Sequence, residues 1–166
     1  MDIIIFTAIG ILSRLLPHLP NVTAVGSLTL FTASRYGLKK SLIVTLTVML
    51  ITDLIIGLHP VMWSTYGSLI VAAVMGKYLL RKRNVTGIAG VTVLSAAIFF
   101  VMTNFAVWLA PGSMYPKTAT GLMECYIMAI PFFRNSLLGD MVYSVIFFGG
   151  YEAVCAVFGS PAKIES

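Results

Sequence analysis

Long apolar runs broken by short polar stretches dominate the pattern of this chain. A helix needs about 20 apolar residues to cross the hydrocarbon core, and fewer when flanking side chains reach the interface. The pattern predicts six membrane-spanning helices, at residues 3–16, 22–34, 41–58, 63–80, 88–109 and 137–158. Glycines and prolines interrupt residues 111–136, so a long structured outer loop is expected between the fifth and sixth helices. We therefore predict an all-α integral membrane protein, a six-transmembrane-helix bundle forming one domain over residues 1–166.

Composition excludes a soluble protein. The 166 residues are 58% hydrophobic and only 10% charged, and the mean hydropathy is +0.96. Such a chain lacks the polar residues needed to cover a water-exposed surface. The first apolar segment begins with an acid and lacks both a basic leader and a small-residue cleavage site. It is therefore expected to remain as a helix rather than to be removed as a signal peptide.

The distribution of basic residues predicts the orientation. Most of the 11 lysines and arginines fall in or beside the loops between helices two and three and between helices four and five, or in the C-terminal tail. These residues are Arg35, Lys39, Lys40, Lys77, Arg81, Lys82, Arg83 and Lys163. Because basic loops stay in the cytoplasm, we predict a multi-pass protein of the bacterial cytoplasmic (inner) membrane with both termini cytoplasmic. The basic charge is thus a topology signal rather than a nucleic-acid-binding surface.

Polar and aromatic residues of the predicted helices gather in their outer halves. Ionisable groups are costly in hydrocarbon and normally face the bundle interior or a wet cavity. Their convergence from several segments predicts a small-molecule pocket open to the outside. The candidate substrate-binding residues are Arg14, His18, Asn21, Asp53, His59, Trp63, Tyr66, Asn104, Trp108, Tyr115, Glu124 and Asp140.

Each group has an expected role and an alternative. Arg14 would neutralise a ligand carboxylate or phosphate, and Asp53 would orient that arginine or receive a ligand amine. The tryptophans and tyrosines would stack on a flat ring, or instead form the interfacial aromatic belt. As an alternative to ligand binding, Arg14 would pair with Asp53 or Asp140 and only hold the helices together. The loop after helix five would be a lid, or a helix resting on the interface with Arg134 at the headgroups.

Metal and catalytic motifs are weak in this sequence. His18 and His59 lack metal-type spacing, and Cys125 and Cys155 are expected to be packed thiols, so no metal or other cofactor is predicted. An intramembrane enzyme would need a set such as Glu124, Cys125 and His59, but neither GxSxG nor HExxH occurs. We therefore predict no catalytic residues and no enzyme. A phosphate-binding GxxxxGK[ST] loop is also missing, so active transport would need a partner or a gradient.

Several segments carry a resemblance to a known group. The stretches "RLLPHLPNVTAVGSLTLFTA", "LITDLIIGLH", "FFVMTNFAVWL" and "YPKTATGLMECYIMAIPFFRNSLLGDMVY" resemble an uncharacterised family of six-helix bacterial membrane proteins, over residues 10–155. That family is similar to the S components of energy-coupling-factor (ECF) vitamin transporters in size, helix number and topology. The resemblance implies a subunit that captures a vitamin-like micronutrient under outer loops. It also implies a coupling transmembrane subunit and two cytoplasmic ATPases as partners.

One position departs from the S-component pattern. S components carry small residues four apart on helix one, where the coupling subunit docks, since small residues let helix backbones approach closely. Here Ala8 is followed at that spacing by Leu12. A solitary transporter and a scaffold protein, whose polar residues only lock the helices, are therefore the alternatives. The scaffold alternative predicts that side chains fill the cavity.

Overall fold

The computed structural model describes residues 2–17 and 19–158, and these are almost entirely helical. The helices are α1 (Asp2–Leu15), α2 (Val25–Tyr36), α3 (Leu38–Ile56), α4 (Met62–Leu79), α5 (Val85–Leu109), α6 (Ala119–Ser144) and α7 (Gly150–Phe158). A π-helical turn, Val145–Gly149, joins α6 to α7 without a break. The described part of the chain therefore forms six helical rods and no strand, which confirms the predicted all-α, six-helix organisation.

The first five helices coincide with predicted segments, but the sixth begins at Ala119 rather than at residue 137. The expected long loop between helices five and six is wrong, because only residues 110–118 connect them. Thr118 caps the helix by accepting a hydrogen bond from the Gly121 N–H at 3.2 Å. Gly121 serves close packing rather than helix breaking, because a side chain there would collide with the Pro116 carbonyl. Pro131 lies inside the helix, as prolines in membrane helices often do when neighbouring groups satisfy the freed carbonyl.

Two rods, α5 and the continuous helix 119–158, are long and apolar enough to cross a membrane. Only 22% and 17% of the residues in their most apolar windows are buried within the protein. Core helices of soluble proteins are mostly buried, so these exposed apolar surfaces indicate membrane association. At about 1.5 Å per residue the 40-residue rod is about 60 Å long, twice the thickness of a hydrocarbon core. Six membrane crossings remain a prediction.

Helix α2 lies at the centre of the bundle and packs on all the other rods. Its residues from Val25 to Ala33 are buried except Gly26. Hydroxyl pairs fasten it to α3, with Thr29 and Thr45 at 2.8 Å and the Thr32 hydroxyl donating to Ser41 at 3.0 Å. Because α2 has only 12 residues, about 18 Å, it fills only part of the length of the bundle. The space beyond its N-terminus is where the candidate site lies.

The two basic loops meet at one end of the bundle, here called the basic end and defined by Arg35, Lys39, Lys40, Arg81, Lys82 and Arg83. Arg83 donates a hydrogen bond to the Ser34 carbonyl at 2.8 Å, joining the two loops. Arg35 pairs with Glu152 of α7 and lies 4.3 Å from the Tyr151 ring centre. Phe6 of α1 packs 5.7 Å from Tyr36, so α1 starts toward the same end. The loops at 57–61 and 110–118 lie at the opposite end, here called the loop end.

Candidate functional site

A cavity of about 400 Å³ lies between the N-terminal end of α2 and helices α4, α5 and α6. Small-molecule sites commonly enclose about 300–1,000 Å³, so the space matches a small organic ligand. The wall mixes hydroxyl and amide groups with four phenylalanines. Its lining residues are Arg14, Asn21, Thr23, Val25, Gly26, Met49, Thr65, Ser68, Leu69, Ala72, Ser95, Ala96, Phe99, Phe100, Thr103, Asn104, Val107, Ala129, Phe132, Phe133, Ser136 and Asp140.

The loop segment 19–24, ahead of α2, forms one side of the cavity. Asn21 adopts a left-handed backbone with φ of 65°, which asparagine tolerates better than most residues. The Asn135 side chain of α6 donates a hydrogen bond to the Pro20 carbonyl at 3.3 Å. At the other end of the loop, the Ala24 N–H donates to the Ser13 hydroxyl at 3.2 Å. These bonds hold the loop against α1 and α6 and present Asn21 and Thr23 to the cavity.

Arg14, Asp53 and Tyr66 form a closed polar cluster at the α1 side. Arg14 Nη2 donates to Asp53 Oδ1 at 2.7 Å, and the Tyr66 hydroxyl donates to Asp53 Oδ2 at 3.0 Å. Asp53 is 1% exposed and the Arg14 side chain 16% exposed. Arg14 also contacts the sulfur of Met49. Each carboxylate oxygen of Asp53 thus has a donor. Of the two pairings considered from the sequence, the structure shows the one between Arg14 and Asp53.

Asp140 has a different environment on the α6 side. The Ser27 hydroxyl donates to the Asp140 carbonyl at 2.6 Å and lies 3.3 Å from its Oδ1. Among residues 2–17 and 19–158, the hydrogen bonds to the carboxyl group come from Ser27, through its hydroxyl and its main-chain N–H, and no cation pairs with the carboxyl group. A Cβ added at Gly26 would lie 2.5 Å from Asp140 Oδ1, so glycine is what lets the carboxyl group approach α2.

The position of Asp140 corrects a prediction. The predicted sixth helix, 137–158, would put Asp140 about one turn inside its outer end, but the helix begins at Ala119. Asp140 therefore lies in the middle of the continuous helix 119–158. This places the carboxyl group deeper in the bundle, level with the first turn of α2.

Four predicted site residues, Arg14, Asn21, Asn104 and Asp140, line the cavity. Asp53 and Tyr66 lie directly behind Arg14. His18 lies outside the described residues. The other predicted residues, namely His59, Trp63, Trp108, Tyr115 and Glu124, do not line the cavity. His59, Trp63 and Glu124 are exposed, with Trp63 61% exposed at the first turn of α4.

Trp108 and Tyr115 belong to the region around the 110–118 loop. The Trp108 indole donates to the Pro116 carbonyl at 2.9 Å, and the Lys117 ammonium lies 5.5 Å from its ring centre. These contacts fold the loop back onto the end of α5. The two aromatic side chains therefore do not reach the cavity wall.

Sequence reasoning missed most of the hydroxyl and phenyl groups in the wall. On α4 the lining positions are 65, 68, 69 and 72, and on α6 they are 129, 132, 133, 136 and 140. On α5 they run 95, 96, 99, 100, 103, 104 and 107. This spacing of three and four residues marks a single helix face. A stripe of Ser, Thr and Phe at that spacing was the available signal in these otherwise apolar segments.

Nothing in the described part of the chain groups three or more His, Cys, Asp or Glu residues for a metal. Cys125 is buried and its thiol donates to the Asn104 carbonyl at 3.4 Å, while Glu124 beside it is exposed. The groups at the site are a carboxyl, a paired arginine, hydroxyls, amides and phenyl rings.

These features define an all-helical protein with two helices able to cross a membrane and an internal cavity of ligand size. Within that class, the chain belongs to a family of unknown function, DUF6580, whose family model matches residues 1–162. No curated protein matches the chain. No solved structure matches it either.

Proposed function

We propose that this protein is the substrate-binding membrane subunit of an ECF-type uptake transporter, which captures a vitamin-like micronutrient from outside the cell. The observation that carries the proposal is the cavity of about 400 Å³ between α2, α4, α5 and α6. A scaffold whose polar residues only lock helices would fill this space with side chains. An open cavity with a few fixed polar groups and aromatic walls is typical of a binding protein.

The location of the cavity supports capture from the outside. Asn104 and Val107, near the end of α5, line its wall, so it extends toward the loop end of the bundle. The basic end lies opposite, and basic loops favour the cytoplasmic side. This orientation would leave the loops at 16–24 and 110–118 on the external side, where a ligand arrives.

The coupling to ATPases rests on the resemblance to S components and on the lack of a phosphate-binding loop. In S components the coupling subunit docks on helix one. Here Ala8 and Leu12 of α1 are both exposed, so this face is free for a partner in the chain as described. Leu12 in place of a small residue keeps a solitary transporter as the alternative. Uptake that persists in cells lacking any coupling module would favour that alternative.

Native mass spectrometry of the protein, purified in mild detergent from its own host, tests the proposal. We expect a small molecule bound to the wild type. Ser95→Phe, which places a ring in the cavity, should abolish the bound mass. Leu94→Phe is the matched control, because Leu94 is the neighbouring residue on α5 and is 48% exposed. A wild type with no bound molecule, or equal occupancy in both variants, would contradict the proposal.

A further inference from the structure

We propose that the cavity selects a cationic ligand, a flat apolar ring carrying a protonated amine, with Asp140 as the counter-ion of the amine. This inference rests on the proposed function and adds the chemical class of the substrate. It follows from the charges that line the cavity and from which of them already have partners.

The positive group of the cavity is already neutralised. Arg14 donates to Asp53 at 2.7 Å, and Tyr66 satisfies the other oxygen of that carboxylate. Breaking such a pair to bind a ligand acid leaves a buried carboxylate without its cation, which is strongly unfavourable. The sequence-based expectation that Arg14 neutralises a ligand carboxylate is therefore not the arrangement we propose.

The negative group of the cavity lacks a cation. Asp140 lines the wall, and within the part of the chain described here its carboxyl group has the hydroxyl and the main-chain N–H of Ser27 as hydrogen-bond donors. That hydroxyl has one proton, and its shorter contact, 2.6 Å, is to the Asp140 main-chain carbonyl. The carboxyl group therefore has acceptor capacity left for a ligand donor.

The N-terminus of α2 explains how the carboxylate is tolerated there. Asp140 packs against Gly26 in the first turn of α2, where the positive end of the helix dipole favours an anion. The anion that this helix end could bind is thus supplied by the chain itself. A second anion, from a ligand, would meet the charge of Asp140, whereas an ammonium group would be attracted to it.

The apolar body of the ligand is inferred from the phenyl groups. Phe99 and Phe100 of α5 and Phe132 and Phe133 of α6 line the same cavity. The rings of Phe100 and Phe133 pack with centroids 4.8 Å apart. Phe133 lies two turns from Asp140, or about 10 Å along the helix axis. A ligand with its ring against these phenyl groups and its amine toward Asp140 fits this layout, and cation–π contact adds to the preference.

Three matched probes test the charge preference: 2-(2-naphthyl)ethylamine, 2-(2-naphthyl)ethanol and 2-naphthylacetic acid. Their binding to the detergent-solubilised full chain is measured by microscale thermophoresis at pH 7. We expect the amine to bind about tenfold more tightly than the alcohol, as a charge-assisted hydrogen bond provides, and the acid to bind most weakly. Asp140→Asn should remove the difference between amine and alcohol. Glu152→Gln, a carboxylate-to-amide change outside the cavity on the same continuous helix, should keep it.

A second variant guards against a folding defect in Asp140→Asn. Gly26→Ala crowds the carboxyl group and should also reduce the amine preference, whereas Gly90→Ala on α5, with open space around it, should not. The inference is overturned if the acid or alcohol binds as tightly as the amine, if Asp140→Asn keeps the preference, or if no probe binds. The proposed function is judged separately, by the co-purified molecule and its loss in Ser95→Phe.

Discussion

Two aspartates in apolar helices of this protein illustrate opposite uses of a buried charge. Asp53 on α3 is 1% exposed and has donors on both carboxylate oxygens, from Arg14 and Tyr66. Asp140 on α6 borders a cavity, and its carboxyl group has hydrogen bonds from the hydroxyl and main-chain N–H of Ser27 but no cation beside it in the described part of the chain. The first aspartate has a cation and a hydroxyl as partners, whereas the second has donors from one neutral residue only. We therefore propose that the number and type of partners separate a structural carboxylate, Asp53, from a binding one, Asp140.

The energetic consequence follows from desolvation. Removing one partner of a buried ion pair leaves an uncompensated charge, so the cost exceeds the net value of the pair. Removing a buried carboxylate that has no cation partner removes its desolvation penalty along with its hydrogen bonds, and these effects on stability oppose each other. Substitutions at Asp53 should therefore reduce the free energy of unfolding much more than substitutions at Asp140. Substitutions at Asp140 should have the larger effect on ligand binding.

The largest effect is expected for Asp53→Ala. This change leaves the Arg14 guanidinium without its carboxylate in the interior, so the free energy of unfolding should fall by about 3–5 kcal/mol. Denaturant titration of the detergent-solubilised protein, followed by tryptophan fluorescence, measures it. The double variant Arg14→Met/Asp53→Leu, which removes both charges, should recover most of the loss. A single-variant loss below about 1 kcal/mol would show that the cluster is not closed as described.

A smaller loss is expected for Tyr66→Phe. The phenyl ring keeps the packing but removes the hydrogen bond to Asp53 Oδ2, and bonds to charged groups contribute about 1.5–3 kcal/mol. Unfolding measured in the same way should show a loss in that range. Adding Tyr66→Phe to the Arg14→Met/Asp53→Leu background should have much less effect, because the acceptor is gone. Equal losses in both backgrounds would show that Tyr66 stabilises the protein independently of Asp53.

The smallest stability effect is expected for Asp140→Asn. The amide has the same shape and can still accept from Ser27, so the free energy of unfolding should change by less than about 1 kcal/mol. The same variant should change ligand selection most, through loss of the amine preference. A destabilisation as large as that of Asp53→Ala would contradict the comparison, since it would mean that Asp140 has a structural partner.

The extent to which the fold could be predicted follows from the type of signal each segment carries. The first five helices were predicted well because each is an apolar run ended by proline, glycine or charges. The sixth was predicted too short because Gly121 and Pro131 suggest a break in a single sequence. In the structure, Gly121 allows the Pro116 carbonyl to pack closely against the helix, and Thr118 caps the helix. Such contacts join residues through space and leave little trace in local pattern.

The candidate site was predicted in part for the same reason. Rare charged and amide residues in apolar segments are conspicuous, so Arg14, Asn104 and Asp140 were found. The phenyl and hydroxyl groups of the wall are common in membrane helices, and only their helical spacing marks them. Exposed aromatics such as Trp63 were included because composition does not tell which way a side chain faces.

By itself, the sequence determined the hydrophobic pattern, and from it the first five helices, the expectation of a membrane protein and the expected orientation. These properties depend on local composition, because each helix satisfies its own main-chain hydrogen bonds and each apolar run is transferred from water separately. The tertiary structure decided which aspartate is paired, which is open, and where the cavity lies. Those features depend on the short α2 and on distances between residues far apart in the chain, which the packing of side chains fixes only when the whole bundle is formed.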